Sequence, residues 1–340
     1  MRLIASFAWL ALAFAAQAQA AEKPLFASND AIHLAIQAPL SQLIKNRAFE
    51  GKIAGTLTDP AGQALPINLS LRGITRRTSE ICEFPPLRVD FVTPPPANSV
   101  FAGQKRLKLI THCRNTTAFT QYVLLEYSAY RMYNLLTPRS FRAKLATINY
   151  RDDNGRPIAS QVGFFLEDLD DVADRNGTRK VKAGERIPFT VLSPPDSARY
   201  AIFQHMIGNH DWSMRAGPVG KDCCHNAEII GALAPGQVIP IPYDFDFSGL
   251  VNAPYATPPA ELNISEVTER YYRGYCAHNA DALSVARRMR EMHPQILAVL
   301  TEVPGLDSRS QGRASAYLER FFADIGTDQD VSSKVLKRCT

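Results

Sequence analysis

Apolar positions alternate with polar ones, or gather in β-branched runs, at residues 51–58, 65–72, 87–92 and 105–112, a spacing that predicts strands. Turn chemistry separates them: Asp59-Pro60-Ala61-Gly62 divides the first two, and the proline-rich residues 93–98 precede the last. From Phe119 the period changes. Val123, Tyr127, Tyr130 and Tyr133 recur at helical spacing up to residue 136, and Pro138 marks the stop. Residues 141–150 and 158–167 read as two further strands around Asp152-Asp153-Asn154-Gly155, a turn with Asn-Gly at its tip. Beyond about residue 168, helical periodicity takes over at 197–207, 280–300 and 314–325, with short strand-like runs at 226–231 and 238–243. No internal repeat is visible. This order predicts an α+β chain: a β-rich lobe with one long helix over 21–167, a mainly helical lobe over 168–340, and a cleft between them.

The first twenty residues have a different pattern. Met1-Arg2 gives a positive start, residues 3–16 an apolar run, and Ala18-Gln19-Ala20 a small-residue cleavage signal, so residues 1–20 read as a signal peptide. The run is too short to span a bilayer, and no later stretch resembles a transmembrane segment. The expectation is a periplasmic or secreted protein. Composition adds little: 38 Lys+Arg against 33 Asp+Glu leave +5, evenly spread, which argues against nucleic acid as a partner. Export does give the six cysteines a meaning, because oxidising compartments favour disulfides. Cys82 and Cys113 flank neighbouring strands and are expected to pair. Cys223 and Cys224 are then expected to bridge to Cys276 and Cys339, the rival reading being a metal site of Cys223, Cys224 and His225.

Chemistry-bearing residues are densest between Gly208 and Tyr255. Gly208-Asn209-His210-Asp211-Trp212-Ser213 follows a helical run, His225-Asn226 comes next, and Tyr243-Asp244-Phe245-Asp246-Phe247-Ser248-Gly249 follows an apolar strand. If 244–247 is extended, Asp244 and Asp246 share one face and Phe245 and Phe247 the other. Carboxylates and an amide in such a set suit Mg²⁺-dependent phosphoryl transfer, in which one carboxylate orients a hydroxyl and the others hold the ion.

His-Asp-Trp-Ser, a following Asn and the Tyr-Asp-Phe-Asp segment resemble the catalytic half of the spore-coat-protein-H (CotH) kinase-like proteins and, more distantly, the HipA-like kinases. That resemblance implies a protein-kinase-like two-lobed fold, and it implies roles. Asp211 matches the catalytic-loop aspartate, Asn226 the metal-binding asparagine, and Asp246 or Asp244 the metal-binding aspartate. Lys108 stands where the phosphate-holding lysine falls, and Glu126, 18 residues on, where its ion-pair partner falls. The implied cofactors are ATP or another nucleoside triphosphate with Mg or Mn, and the implied acceptor is a hydroxyl on a protein or small molecule. Asp211 and Asn226 are separated by a loop that has to fold back for the site to exist. Arg72, Arg76 and Arg77 are read as a solvated charge run, and Glu167-Asp168-Leu169-Asp170-Asp171 as a solvated helix start. Two other readings stand beside the transferase: a catalytically inactive binding module, and a metal-dependent hydrolase using His210, Asp211, His225 and Asp244.

Overall fold

The computed structural model describes residues 23–340, so the signal-peptide expectation lies outside the described residues. The elements run β1 (Ile32–Gln37), α1 (Leu40–Lys45), β2 (Ile53–Thr58), β3 (Ala64–Leu71), β4 (Leu87–Phe91), β5 (Arg106–Ile110) and α2 (Thr117–Leu136). They continue with β6 (Ala143–Arg151), β7 (Pro157–Leu166), α3 (Leu169–Arg175), α4 (Pro194–Ile207), β8 (Ala227–Gly231), β9 (Val238–Pro242), α5 (Asn279–Glu291), α6 (His293–Glu302) and α7 (Ser308–Asp324). Each strand and helix read from the sequence is present within a few residues. One is divided: the stripe over 280–300 is two helices, α5 and α6, because Pro294 near the start of α6 supplies no N–H to continue α5.

The kinase-like two-lobed fold is not what the chain adopts. Seven strands close into a mixed barrel in the order β1-β2-β3-β4-β5-β7-β6, and a separate two-stranded sheet pairs β8 with β9. The closing strand is β1, absent from the sequence reading. It pairs antiparallel with β2 and parallel with β6, Ile32 opposite Ala146 through Gln37 opposite Arg151. Alternation fills the barrel: Leu34 and Ile36, Leu65, Ile67 and Leu69, Leu87 and Val89, Leu107 and Leu109 form one buried core with Ile148 and Phe165. Closure leaves no open sheet edge, which is a direct reason for a seven-stranded sheet to curl.

Two aspartates shape the barrel's tight turns. Asp59 Oδ1 accepts from the N–H groups of Ala61 and Gln63, and Asp152 Oδ1 from those of Asn154 and Arg156, with Gly155 at φ +80°. On the outer face of β7, Phe164 and Leu166 join a second core with α2. Tyr127 and Tyr130 of α2 meet the Phe164 ring, and Tyr133 meets Phe203 of α4. The long helix is therefore buried on nearly every side, lodged between the barrel and the remaining helices. The acidic run is a helix start as read, Asp168 capping α3 with Asp170 and Asp171 in its first turn, but it is not solvated throughout: Glu167 is buried and paired with Arg175, and Asp171 is half-buried against Lys23.

Disulfides are Cys82–Cys113, Cys223–Cys224 and Cys276–Cys339. The first matches the sequence expectation. The other two correct it, since Cys223 and Cys224 close on each other while Cys276 takes the distant Cys339. That also removes the Cys223, Cys224 and His225 metal site. Among the described residues no helix is long and apolar enough to cross a membrane.

Candidate functional site

Helix α4 delivers the first site residue. It ends on Gly208, whose φ of +63° reverses the chain and whose missing Cβ avoids the Tyr317 hydroxyl. The following turn is pinned by side chains. Asn209 Oδ1 accepts from the Asp211 N–H at 3.0 Å, and Trp212 Nε1 donates to the Asn209 carbonyl at 2.9 Å while its ring meets Tyr200. Asp211 is left half-exposed.

The intervening loop does fold back. Ser213 and His225 form an isolated antiparallel bridge that returns Asn226 to Asp211. Asn226 Nδ2 donates to the Asp211 carbonyl at 2.7 Å and to Oδ2 at 2.9 Å. His225 Nε2 lies 2.6 Å from Oδ1, and this bond to Asp211 raises the imidazole pKa above its usual value. Asn226 itself sits at φ +48°, with its carbonyl accepting from the Tyr200 hydroxyl and the Tyr243 N–H. Pairing of β8 with β9 sets Ala227 opposite Pro242 and so brings 244–246 alongside.

The 244–247 segment is not extended. Asp244 adopts φ +65°, with its N–H donating to the Tyr130 hydroxyl at 2.9 Å, so a turn replaces the expected alternating strand. Phe245 is fully buried against Tyr130 and Phe203, Phe247 is half-buried, and Asp246 points into the interior at 5% exposure. The Tyr255 hydroxyl donates to Asp246 Oδ2 at 3.1 Å, and Arg76 Nη1 stands 4.0 Å away. Burial and the neighbouring Asp244 carboxylate push the Asp246 carboxyl up to about 7. The Asp244 carboxylate has no hydrogen bond or ion pair among the described residues, and Asn226 Oδ1 is equally free.

The expected Lys108–Glu126 pair does not form. Glu126, on α2 and 1% exposed, pairs instead with Arg76 Nη1 at 3.3 Å, and its Oε1 has no partner. Arg76 reaches it from the 3-10 turn Thr75–Arg77, anchored by Nη2 on the Thr111 carbonyl at 2.6 Å. Far from belonging to a solvated run, Arg76 is 7% exposed. Burial works against its charge, and Tyr255, Glu126, Asp246 and Asp244 together outweigh that, raising its pKa. Glu126 is also raised, well above the carboxylate range, by burial and by Asp246, which in its case favours the neutral form. Lys108 crosses the face of β5 to Glu228 Oε1 at 3.3 Å and lies 4.3 Å over the Tyr243 ring; burial lowers its pKa. Arg72 is half-buried, has no side-chain partner among the described residues, and acts electrostatically on both Lys108 and Glu126.

Asp211, Asn226, Asp244 and Asp246 therefore share one locality, with Lys108 at its edge and Glu126 behind it. Arg76, Tyr255, Tyr130 and Glu228 complete it without having been assigned a role from sequence. Only Arg76 had a signal, its place in an arginine run. Carboxylates outnumber cations here: Glu126, Asp211, Glu228, Asp244 and Asp246 against Arg72, Arg76, Lys108 and, when protonated, His225. A divalent ion fits that surplus. Asp244 and Asp246 supply hard oxygens, Asn226 Oδ1 a third, and Mg²⁺ ordinarily takes the rest from water and phosphate. No three His, Cys, Asp or Glu side chains form a metal-holding group among the described residues. Within the hydrolase set, His210 Nε2 already accepts from the Tyr271 N–H. No protein-family model matches this chain, and no curated protein matches it either.

Proposed function

We propose that this protein is a phosphoryl-transfer enzyme that uses a nucleoside triphosphate, ATP or another, with Mg²⁺ or Mn²⁺ to modify a hydroxyl on a protein or small molecule. The observation that carries the proposal is the Asp244–Asp246 pair beside Asn226 and Asp211, an acidic oxygen cluster holding more negative charge than Arg76 neutralises. Asp244, Asp246 and Asn226 would hold the ion, which supplies charge neutralisation for the phosphates. Lys108 and Arg72 supply positive charge at the rim. Asp211 is the group that receives the acceptor's proton: each of its oxygens keeps a lone pair after bonding His225 and Asn226. His225 is a positioning residue, fixing the carboxylate from the side opposite Asn226. The reading rests on this arrangement, not on a kinase-like fold.

Three disulfides are what an oxidising compartment preserves, and a periplasmic or secreted location is part of the proposal. Lys108 being held by Glu228 favours one second reading, a module that binds nucleotide and metal without turnover. Thermal unfolding with ATP plus Mg²⁺ or Mn²⁺, alongside formation of nucleoside diphosphate with protein and small-molecule hydroxyl acceptors present, tests both. The transferase gives a metal-dependent upward shift and diphosphate formation, each lost in Asp246→Asn. A shift without diphosphate formation leaves the binding module, and no shift with any triphosphate sinks both.

A further inference from the structure

A cavity of about 230 Å³ lies between the last turn of α4, the 270–272 segment and the chain's C-terminal turns. Four cationic side chains line it: Arg270, Lys334, Lys337 and Arg338. A single carboxylate, Asp324, lines it with them. Lys334 is paired with Asp330 at 2.9 Å, and Arg338 feels Glu269 and lies over the Tyr271 ring. Neither Arg270, Lys337 nor Arg338 has an ion-pair partner among the described residues. Arg270 is the informative one. Its guanidinium lies 3.8 Å over the Tyr317 ring, and Nε and Nη2 donate to the carbonyls of Met206 and Tyr317. Those bonds fix the plane of the group and leave Nη1 without a partner.

Two neutral side chains, Tyr272 and His205, border the cavity and bring no charge to it; the Tyr272 hydroxyl and His205 Nδ1 are buried beyond the reach of a water-sized molecule. The walls are also held in place. Cys339 is bonded to Cys276, the Thr340 N–H donates to the Gly274 carbonyl, and the Cys276 N–H donates to the Thr340 carbonyl.

We infer that this cavity binds a small, multiply charged oxyanion: inorganic phosphate, or the phosphoryl end of a larger molecule. Arg270 offers an oriented donor, and Lys337 and Arg338 neutralise charge. The inference is independent of the proposed transferase reaction, since it uses none of its residues.

Calorimetric titration of the oxidised protein with inorganic phosphate, and separately with glycerol phosphate, tests it at fixed ionic strength. The charge reversals Lys337→Glu and Arg338→Glu are on exposed side chains and should fold. The expected result is saturable binding of phosphate, weakened at least tenfold by either reversal and unchanged by Lys108→Met, which removes a cation of the other site. Binding of glycerol phosphate as well assigns the cavity to a phosphomonoester, and binding of phosphate alone to the free anion. The inference is overturned by absence of saturable binding to either, by equal affinity in the reversals, or by loss in Lys108→Met with the reversals unaffected.

Discussion

The acidic cluster at Asp246 is buried, whereas the basic cavity at Arg270 is open, with Lys334, Lys337 and Arg338 exposed; each holds charge beyond its counterions, with opposite sign. They discharge that excess differently. Carboxylates can take up protons, so burial and mutual repulsion move Glu126 and Asp246 toward the neutral form near physiological pH. Histidine can lose its proton, and burial beside Arg270 holds the His205 pKa down at about 3. Guanidinium groups can do neither, so the cavity keeps its positive charge at every pH at which the protein is folded. One site is therefore tuned by protons or a cation, and the other is fixed and waits on an anion.

Arg76 is the largest lever on the acidic side. Replacing it with Met leaves Glu126 and Asp246 buried without their cation, and loss of one partner of a buried pair costs about 3 to 5 kcal/mol. Urea unfolding at pH 8 should show a loss of that order. A loss below about 1 kcal/mol would mean that solvent screens the cluster.

On the basic side the comparable lever is covalent. Cys276 and Cys339 are 63 residues apart in sequence, so opening their bridge frees a long loop and is expected to cost about 2 to 4 kcal/mol. Cys276→Ser with Cys339→Ser should also weaken phosphate binding, because the tail that carries Lys337 and Arg338 is then tied less firmly. Cys223 and Cys224 are adjacent in sequence and enclose almost no loop, so replacing both with Ser should cost far less. Similar losses from the two bridges would show that loop closure is not what they contribute.

These two levers also mark where the sequence was legible. Strands β3, β4 and β5 announce themselves because Leu65, Ile67 and Leu69 alternate locally and their partners are close in sequence. Strand β1 carries the same alternation, yet its role depends on pairing with β6 more than 100 residues away, and no local pattern shows that a sheet will close. The site divides in the same way. Asp211, Asn226, Asp244 and Asp246 were found because they follow one another on adjoining short elements. The partner of Glu126 was not, because Arg76 precedes it by 50 residues and is buried only through contacts with α2 and the 246 turn. Cys82–Cys113 was readable from flanking strands, whereas Cys276–Cys339 reflects how the tail docks.

A smaller effect, of opposite sign, separates function from stability in the acidic cluster. Asp246→Asn keeps an oxygen for Tyr255 and removes a charge that burial and Asp244 disfavour. The raised carboxyl prefers its protonated form in the folded state, so its contribution is present below the ordinary aspartate pKa and is lost as pH rises through about 7. The variant should therefore match wild type near pH 4 and exceed it at pH 8 by no more than about 4 kcal/mol, the amount that the rise from 3.8 to about 7 allows, while losing the metal-dependent ATP shift. Chemical unfolding at both pH values reads the first part and thermal unfolding with ligand the second. A variant less stable at pH 8 would show Asp246 to be held as a charged partner of Arg76.

The smallest effect is the sharpest check on the basic cavity. Tyr272 is fully buried and its hydroxyl is unpartnered, so in the ligand-free protein Tyr272→Phe removes a polar group that gains nothing from burial. Its stability should stay level or rise by up to about 1 kcal/mol. With phosphate present the two proteins should gain equally, because the hydroxyl is buried beyond the reach of an ion in the cavity. Melting temperatures of both proteins, measured across a phosphate series at constant ionic strength, should run parallel. Crossing curves would show that the hydroxyl does meet the anion, and a variant destabilised without phosphate would show that the Tyr272 hydroxyl is satisfied within the fold itself.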